Sequence, residues 1–259
     1  MRLDKYLFEN RYYPSREKAS IAIKEGLVKV DGKIINKPSF EIEEGNIEII
    51  KPLLDYVSFG GNKLKRAIDY FKLDFQDKIV LDIGSSTGGF TDCALKHGAE
   101  TVYCVDVGSN QLAESLRKDS RVQVFENTNI LDFYVDCDFD YLVMDVSFVS
   151  IKKIIPSLLR FMSDETKLVT LIKPQFELGQ VKLKNGVVKD DKEHLLVLND
   201  CINFIENLDL KVLDLTYSTQ VGKMGNIEFL VLIGKGGKKK PYLTGQVVKE
   251  AHSALKNSK

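Results

Sequence analysis

The sequence predicts an α/β protein built on a doubly wound, mostly parallel sheet of seven strands, preceded by a small α+β module. Three observations carry this. Strands and helices alternate from residue 56 to about residue 236, a glycine-rich turn directly follows the first long strand, and the first fifty residues switch from a helical to a strand period. With 259 residues, 44% apolar and 29% charged, the chain has enough for a real core and falls outside the disordered, collagen-like and coiled-coil classes. Lys plus Arg (37) equals Asp plus Glu (37), so a polyanionic partner has to be read from local charge.

In chain order, Leu3, Tyr6 and Leu7, then Ala19 and Ile23, recur at helical intervals and predict two short helices, with Pro14-Ser15 as turn and cap. After Gly26 the period becomes two. Leu27, Val28 and Val30 lead into an Asp31-Gly32 turn, Ile34 and Ile35 follow, and residues 41–50 alternate as a further strand. Residues 1–50 thus form one module, 51–55 a connector opened by Pro52, 56–236 the large domain and 237–259 a basic tail. In the large domain the expected strands are 79–83, 101–105, 122–125, 141–146, 168–172, 211–215 and 229–233. Helices are expected at 64–71, 90–96, 110–118, 151–161 and 193–207.

Cys93, Cys104, Cys137 and Cys201 form no CxxC pair and only three histidines supplement them, so neither a metal site nor a disulfide framework is expected. The opening MRLDKYLFENRYY lacks the apolar stretch of a signal peptide, and the apolar runs at 168–172 and 229–233 are too short for a bilayer. The expectation is a soluble cytoplasmic protein with no membrane partner.

The strand at 79–83 runs into Gly84-Ser85-Ser86-Thr87-Gly88-Gly89-Phe90. Glycines there let backbone approach a nucleotide-like cofactor, and Asp106, about twenty residues on, suits a ribose diol. The spacing is GxxxGG, without the dinucleotide GxGxxG or a GxxxxGK[ST] phosphate loop. This favours S-adenosylmethionine, which has a ribose and no phosphate, while leaving a dinucleotide open.

Residues 1–37 carry nine basic and five acidic side chains. The segments RLDKYL, SREKASIAIKEGLVKVDGK and EEGNIEI resemble the S4 RNA-binding domain. That resemblance implies RNA contacts at Arg2, Lys5, Arg11, Arg16, Lys18, Lys24 and Lys29. The tail has six lysines, one glutamate, a short helix near 247–255 and little to bury. A solvated terminus is expected there, with an auxiliary RNA contact as the alternative.

LDIGSSTGGFTDCAL, TVYCVDVGSNQLAESLR, ENTNI, YLVMDVSFVSI, LIKPQFE and GNIEFL occur in order and together resemble the TlyA family of 2'-O-ribose RNA methyltransferases. The resemblance implies a Rossmann-like class I methyltransferase fold with an antiparallel last strand. It also implies methyl transfer from S-adenosylmethionine to a cytidine 2'-hydroxyl of ribosomal RNA, on the free RNA or a ribosomal subunit.

A ribose hydroxyl is protonated at neutral pH, so its site should hold it, aim it and assist loss of the proton. Lysines and carboxylates converging at one sheet edge can do this. Asp145 and Lys173 close successive strands, Glu228 begins a strand that returns to the same edge if antiparallel, and Lys63 opens the first helix. By resemblance these four match a Lys-Asp-Lys-Glu catalytic tetrad, with Lys173 central and Asp145 orienting it. Around the donor, Gly84, Gly88, Gly89, Phe90 and Asp145 line the turn. Ser85, Ser86 and Thr87 offer hydroxyls to its amino-acid end, Asn127, Thr128 and Asn129 face the adenine, and Phe148 packs against it. The connector has no tryptophan, so an aromatic linker switch found in part of the family does not carry over. The short N-terminus leans toward large-subunit RNA.

The competing readings are a non-catalytic S4-type assembly factor and a haemolysin. The intact glycine turn and complete tetrad count against the first, and the lack of a spanning run against the second.

Overall fold

Short strands that are apolar on both faces must be covered on both sides, and crossover helices do this in parallel sheets. The computed structural model describes residues 1–13, 16–24, 26–50, 55–178, 186–222 and 225–256, with only the backbone of 17, 18, 21 and 256. The expected Pro14-Ser15 turn, connector residues 51–54 and the side chain of Lys18 lie outside the described residues.

The chain forms two units, Met1–Leu54 and Asp55–Lys259. In the first, α1 (Leu3–Glu9) and α2 (Arg16–Lys24) accompany three short strands, β1 (Val28–Val30), β2 (Lys33–Ile34) and β3 (Ile47–Ile49). The strands pair antiparallel in the order β2-β1-β3. Leu3, Leu7, Ala19, Ile23, Val28 and Ile42 form its core. The strand expected at 41–50 is shortened to β3. Its first residues pair with the chain start instead, the Ile42 N–H donating to the Met1 carbonyl (2.8 Å) and the Leu3 N–H to the Phe40 carbonyl (2.7 Å).

The second unit contains α3 (Gly60–Phe71), β4 (Ile79–Ile83), α4 (Gly89–Lys96), β5 (Thr101–Val105), α5 (Glu114–Arg117), β6 (Val122–Phe125), β7 (Tyr141–Met144) and α6 (Ile151–Leu158). β8 (Lys167–Ile172), α7 (Pro174–Glu177), α8 (Asp191–Glu206), β9 (Lys211–Tyr217), β10 (Phe229–Gly234) and α9 (Thr244–Lys256) complete it. The sheet order is β6-β5-β4-β7-β8-β10-β9, with β10 antiparallel to both neighbours. Two core layers flank the sheet, one around Leu64, Phe75 and Phe90, the other around Ile155, Leu198 and Phe229.

Two further expectations are corrected. The helix expected at 110–118 is only α5. The N–H groups of Asn110, Gln111 and Leu112 donate to the Glu126 carboxylate at 2.7, 2.9 and 3.2 Å, and Asn110 has a φ of 53°, so that stretch is a clamped loop. The tail does have something to bury. α9 packs against α8 and β9, with Val247, Val248, Ala251 and Leu255 at most 9% exposed. Its apolar residues sit at i, i+1, i+4 and i+8, one helical face.

Between α8 and α9, the buried His194 has Nδ1 2.8 Å from His252 Nε2, and its own Nε2 has no partner among the described residues. Burial, then the neighbouring His252, pushes the His194 pKa from 6.5 to about 4, against the pull of Asp190 and Asp191. The unfolded chain therefore takes up this proton first. Stability present above pH 6.5 should be lost as pH falls toward about 4. His194→Phe is expected to flatten the melting temperature across that window, and a profile as steep as the parent's would refute the assignment.

Candidate active site

A doubly wound sheet opens a crevice where its crossovers diverge, at the carboxyl ends of the strands. Here the chain leaves β4 for β5 on one side, while β7 lies on the other, so the crevice lies between β4 and β7. The glycine turn follows β4 and Asp145 follows β7. Ile83 faces Met144 in register, and the Asp145 N–H donates to the Ile83 carbonyl at 3.3 Å.

Register also brings in the next two charges. Ile172 of β8 pairs with Phe229 of β10, so Lys173 and Glu228 stand beside one another at the same edge. Lys63 reaches them from the first turn of α3. Its Nζ lies 2.7 Å from Glu228 Oε2 and 3.3 Å from Asp145 Oδ2. Lys173 Nζ lies 2.5 Å from Asp145 Oδ1 and donates to Ser147 Oγ at 3.0 Å. Glu228 is 2% exposed and Lys173 6%. Asp145 is thus shared by two lysine amines, and the cluster matches two basic side chains with two acidic ones, the arrangement in which ionisable groups tolerate burial.

Burial alone would lower the Lys63 pKa, but Asp145 and Glu228 outweigh it and hold the ammonium above its ordinary value. Burial likewise would raise Asp145, yet Lys173 and Lys63 keep its carboxyl below the usual carboxylate range. A cluster this tightly paired presents a fixed field, the kind of preorganisation that stabilises developing charge.

The glycine turn is held closely against its neighbours. Gly88 has a φ of 93°, and a Cβ there would lie 2.3 Å from Leu116 Cδ1, so only glycine fits. Asp106, at the end of β5, accepts the Ser86 N–H (2.8 Å) on one oxygen and the Gly108 N–H (2.7 Å) on the other. Each oxygen keeps acceptor capacity, since a carboxylate has about four lone-pair sites. The segment 127–129 joins this group, the Thr128 N–H donating to the Asp106 carbonyl at 2.9 Å and the Asn127 N–H to that of Gly108 at 2.9 Å. Ser85 is buried, Ser86 exposed and Thr87 half-buried. Gly84, Gly88 and Gly89 therefore lie with Ser85, Ser86, Thr87, Asp106 and residues 127–129 at the ends of β4, β5 and β6.

Two candidates sit differently. The Phe90 ring is 3% exposed within the core beneath the turn, so only its backbone belongs to the cradle. Phe148 is 77% exposed, has a φ of 67°, and its ring lies 5.3 Å from that of Phe176. The Phe176 ring in turn lies 5.9 Å from Lys173 Nζ.

In the first unit, Arg2 and Arg16 both engage the buried Asp4, at 2.9 and 3.3 Å, with their side chains 49% and 50% exposed. Lys5 pairs with Glu9 and Lys29 with Glu48 on the surface, while Arg11 and Lys24 are exposed. Half of each Asp4-bound arginine therefore remains open to an anion.

Several contributors escape sequence reasoning. Gly222 leaves room for Glu228, since a Cβ there would lie 2.0 Å from Glu228 Oε1. Gln175, within LIKPQFE, has its Nε2 3.5 Å from Glu228 Oε1. Asp82 lies fully buried on β4, where it accepts the Thr91 hydroxyl at 2.6 Å. Burial pushes its pKa up to about 7. Among the described residues no cluster of metal-ligating side chains occurs, and no helix is long and apolar enough to cross a membrane.

Comparison with known proteins identifies both units. Residues 56–235 match the FtsJ-like methyltransferase family and residues 1–47 the S4 domain. YqxC of Bacillus subtilis (strain 168), named as an rRNA methyltransferase, is 41% identical over 271 residues, spanning 100% of this chain and 96% of its own length. The 16S/23S rRNA (cytidine-2'-O)-methyltransferase TlyA of Mycobacterium tuberculosis (strain ATCC 25618 / H37Rv) is 32% identical, spanning 89% and 88%. A solved Streptococcus thermophilus structure titled as a haemolysin superposes with a TM-score of 0.79 at 35% identity, covering 100% of this chain and 98% of that one.

Proposed function

The chain belongs to the FtsJ-like methyltransferase family, with an S4 domain ahead of the catalytic fold, and on that premise we propose that it methylates the 2'-hydroxyl of a cytidine in ribosomal RNA. S-adenosylmethionine is the proposed methyl donor. The observation that carries this reading is the cluster of Lys63, Asp145, Lys173 and Glu228, joined at 2.5 to 3.3 Å beside the glycine cradle.

The residues present fit that donor. A strand-end carboxylate with spare acceptor capacity suits a ribose diol, and Ser86 and Thr87 suit an amino-acid end. When bound, the donor supplies an electrophilic methyl group on sulfur.

The chain's own work is on the hydroxyl. Lys173 Nζ is the atom that polarises it and, in its deprotonated amine form, receives its proton, oriented by Asp145 and Ser147. Lys63, held as an ammonium, and Glu228 fix the field around the reacting oxygen. The exposed edges of Arg2, Arg11, Arg16, Lys24 and Lys29 serve the S4 unit's grip on RNA, with cytosolic ribosomal RNA or a ribosomal subunit as partner. A purely RNA-binding role would leave the buried tetrad without a purpose.

Full-length protein, labelled donor and unmodified ribosomal RNA test the proposal. Label is expected in a ribose, mapped to cytidine by nucleoside analysis; label on a base, or none, would refute it.

A further inference from the structure

Arg66 lies one helical turn beyond Lys63 on α3, the spacing that places two side chains on neighbouring parts of one face. Its guanidinium carbon is 5.0 Å from the ring centre of Tyr70 and 5.7 Å from that of Tyr217. Tyr217 ends β9. Because β8 and β9 both pair antiparallel with β10, β9 ends at the sheet edge where Lys173 follows β8. Tyr217 also pairs with Phe229, the residue after Glu228.

Among the described residues Arg66 has no acid to answer it. Its Nε is closed to solvent without a hydrogen-bond partner, and the guanidinium makes no ion pair among the described residues. The nearby carboxylates are already taken, Asp69 by Lys65 and Asp145 and Glu228 by the tetrad lysines. A planar cation held against two aromatic rings loses little freedom on binding and keeps edge N–H groups for a forked acceptor such as phosphate. The proposed methyl donor carries no phosphate, so such an acceptor belongs to the substrate strand.

Resting on the methyltransferase reading, we propose that Arg66 is a positioning residue that binds a backbone phosphate of the substrate RNA strand at the rim of the tetrad. One phosphate contact displaces counterions, so it leaves its mark in the salt dependence of binding.

The test uses full-length parent, R66Q and R66K proteins, a mixture of unmodified 16S and 23S ribosomal RNA transcripts in filter binding across a salt series, and calorimetric titration with S-adenosylmethionine. R66Q is expected to bind RNA about tenfold more weakly at low salt. Its log-log salt slope should be shallower by about 0.7 to 0.9. R66K should keep the parent slope, and donor affinity should be unchanged in both. A parent-like slope in R66Q, or RNA affinity lost only in step with donor affinity and melting temperature, overturns the proposal. Should the parent bind RNA yet transfer no methyl group, the reaction assignment fails while the slopes still decide Arg66. Should the parent bind no RNA, both fall.

Discussion

Lys173→Ala should lower the single-turnover rate of methyl transfer about a thousandfold, because proton handling by a positioned side chain contributes roughly 10² to 10⁴ in rate. The variant should still fold. Lys63 remains 3.3 Å from Asp145, so the carboxylate is not left alone in the buried site. Some stability should nevertheless go, of the order of 1 to 3 kcal/mol, for one lost charged hydrogen bond. Lys173→Arg separates the two tasks assigned to this atom. Arginine restores a positive charge near Asp145 and Ser147 but does not give up its proton in a protein. If Lys173 accepts the hydroxyl's proton, the arginine variant is as slow as the alanine variant; if it only supplies charge, arginine rescues most of the rate. Turnover of Lys173→Ala within about tenfold of the parent, with circular dichroism and donor affinity unchanged, would end the assignment of this residue as the reacting group.

Removal of residues 1–55 should leave donor affinity within about twofold and cut methylation of ribosomal RNA by about a hundredfold or more at limiting substrate. The catalytic unit has its own two-layer core and its own complete tetrad, so neither cradle nor tetrad needs the first unit's side chains. What the truncation removes is remote binding energy and orientation, which act on kcat/KM for the large substrate alone. Parallel titrations with donor and with RNA separate these contributions. Equal methylation by residues 56–259 and by the whole chain would show that the S4 unit does not present the substrate.

How far the primary structure could be read differs between fold and site. Strand and helix periods are properties of a few neighbouring residues, so β4 to β8 and β10 are predictable within a residue or two, whereas the antiparallel direction of β10 is implied only by the family resemblance. Errors arose where a distant group overrode local preference. Glu126 seizes three backbone amides and cancels a helix that the apolar spacing of 110–118 suggests, and the N-terminal strandlike residues capture 40–42 from the second half of their module. The tail's lysines hid an apolar face, because a high charge count says nothing about where the remaining residues point.

The sequence alone determined the two-part architecture and a glycine turn followed by a strand-end carboxylate at Asp106, and a collinear set of family motifs singled out Lys63, Asp145, Lys173 and Glu228 as candidates. Only the tertiary structure decided that Lys63 bridges partners 82 and 165 residues away, that Gly222 makes space for Glu228, and that Arg66 stacks on Tyr70 and Tyr217 with its own charge unanswered. The reason is physical: periodicity is settled within a helical turn or a strand, whereas which charges meet depends on strand order and direction, set by hydrogen bonds between segments far apart in the chain.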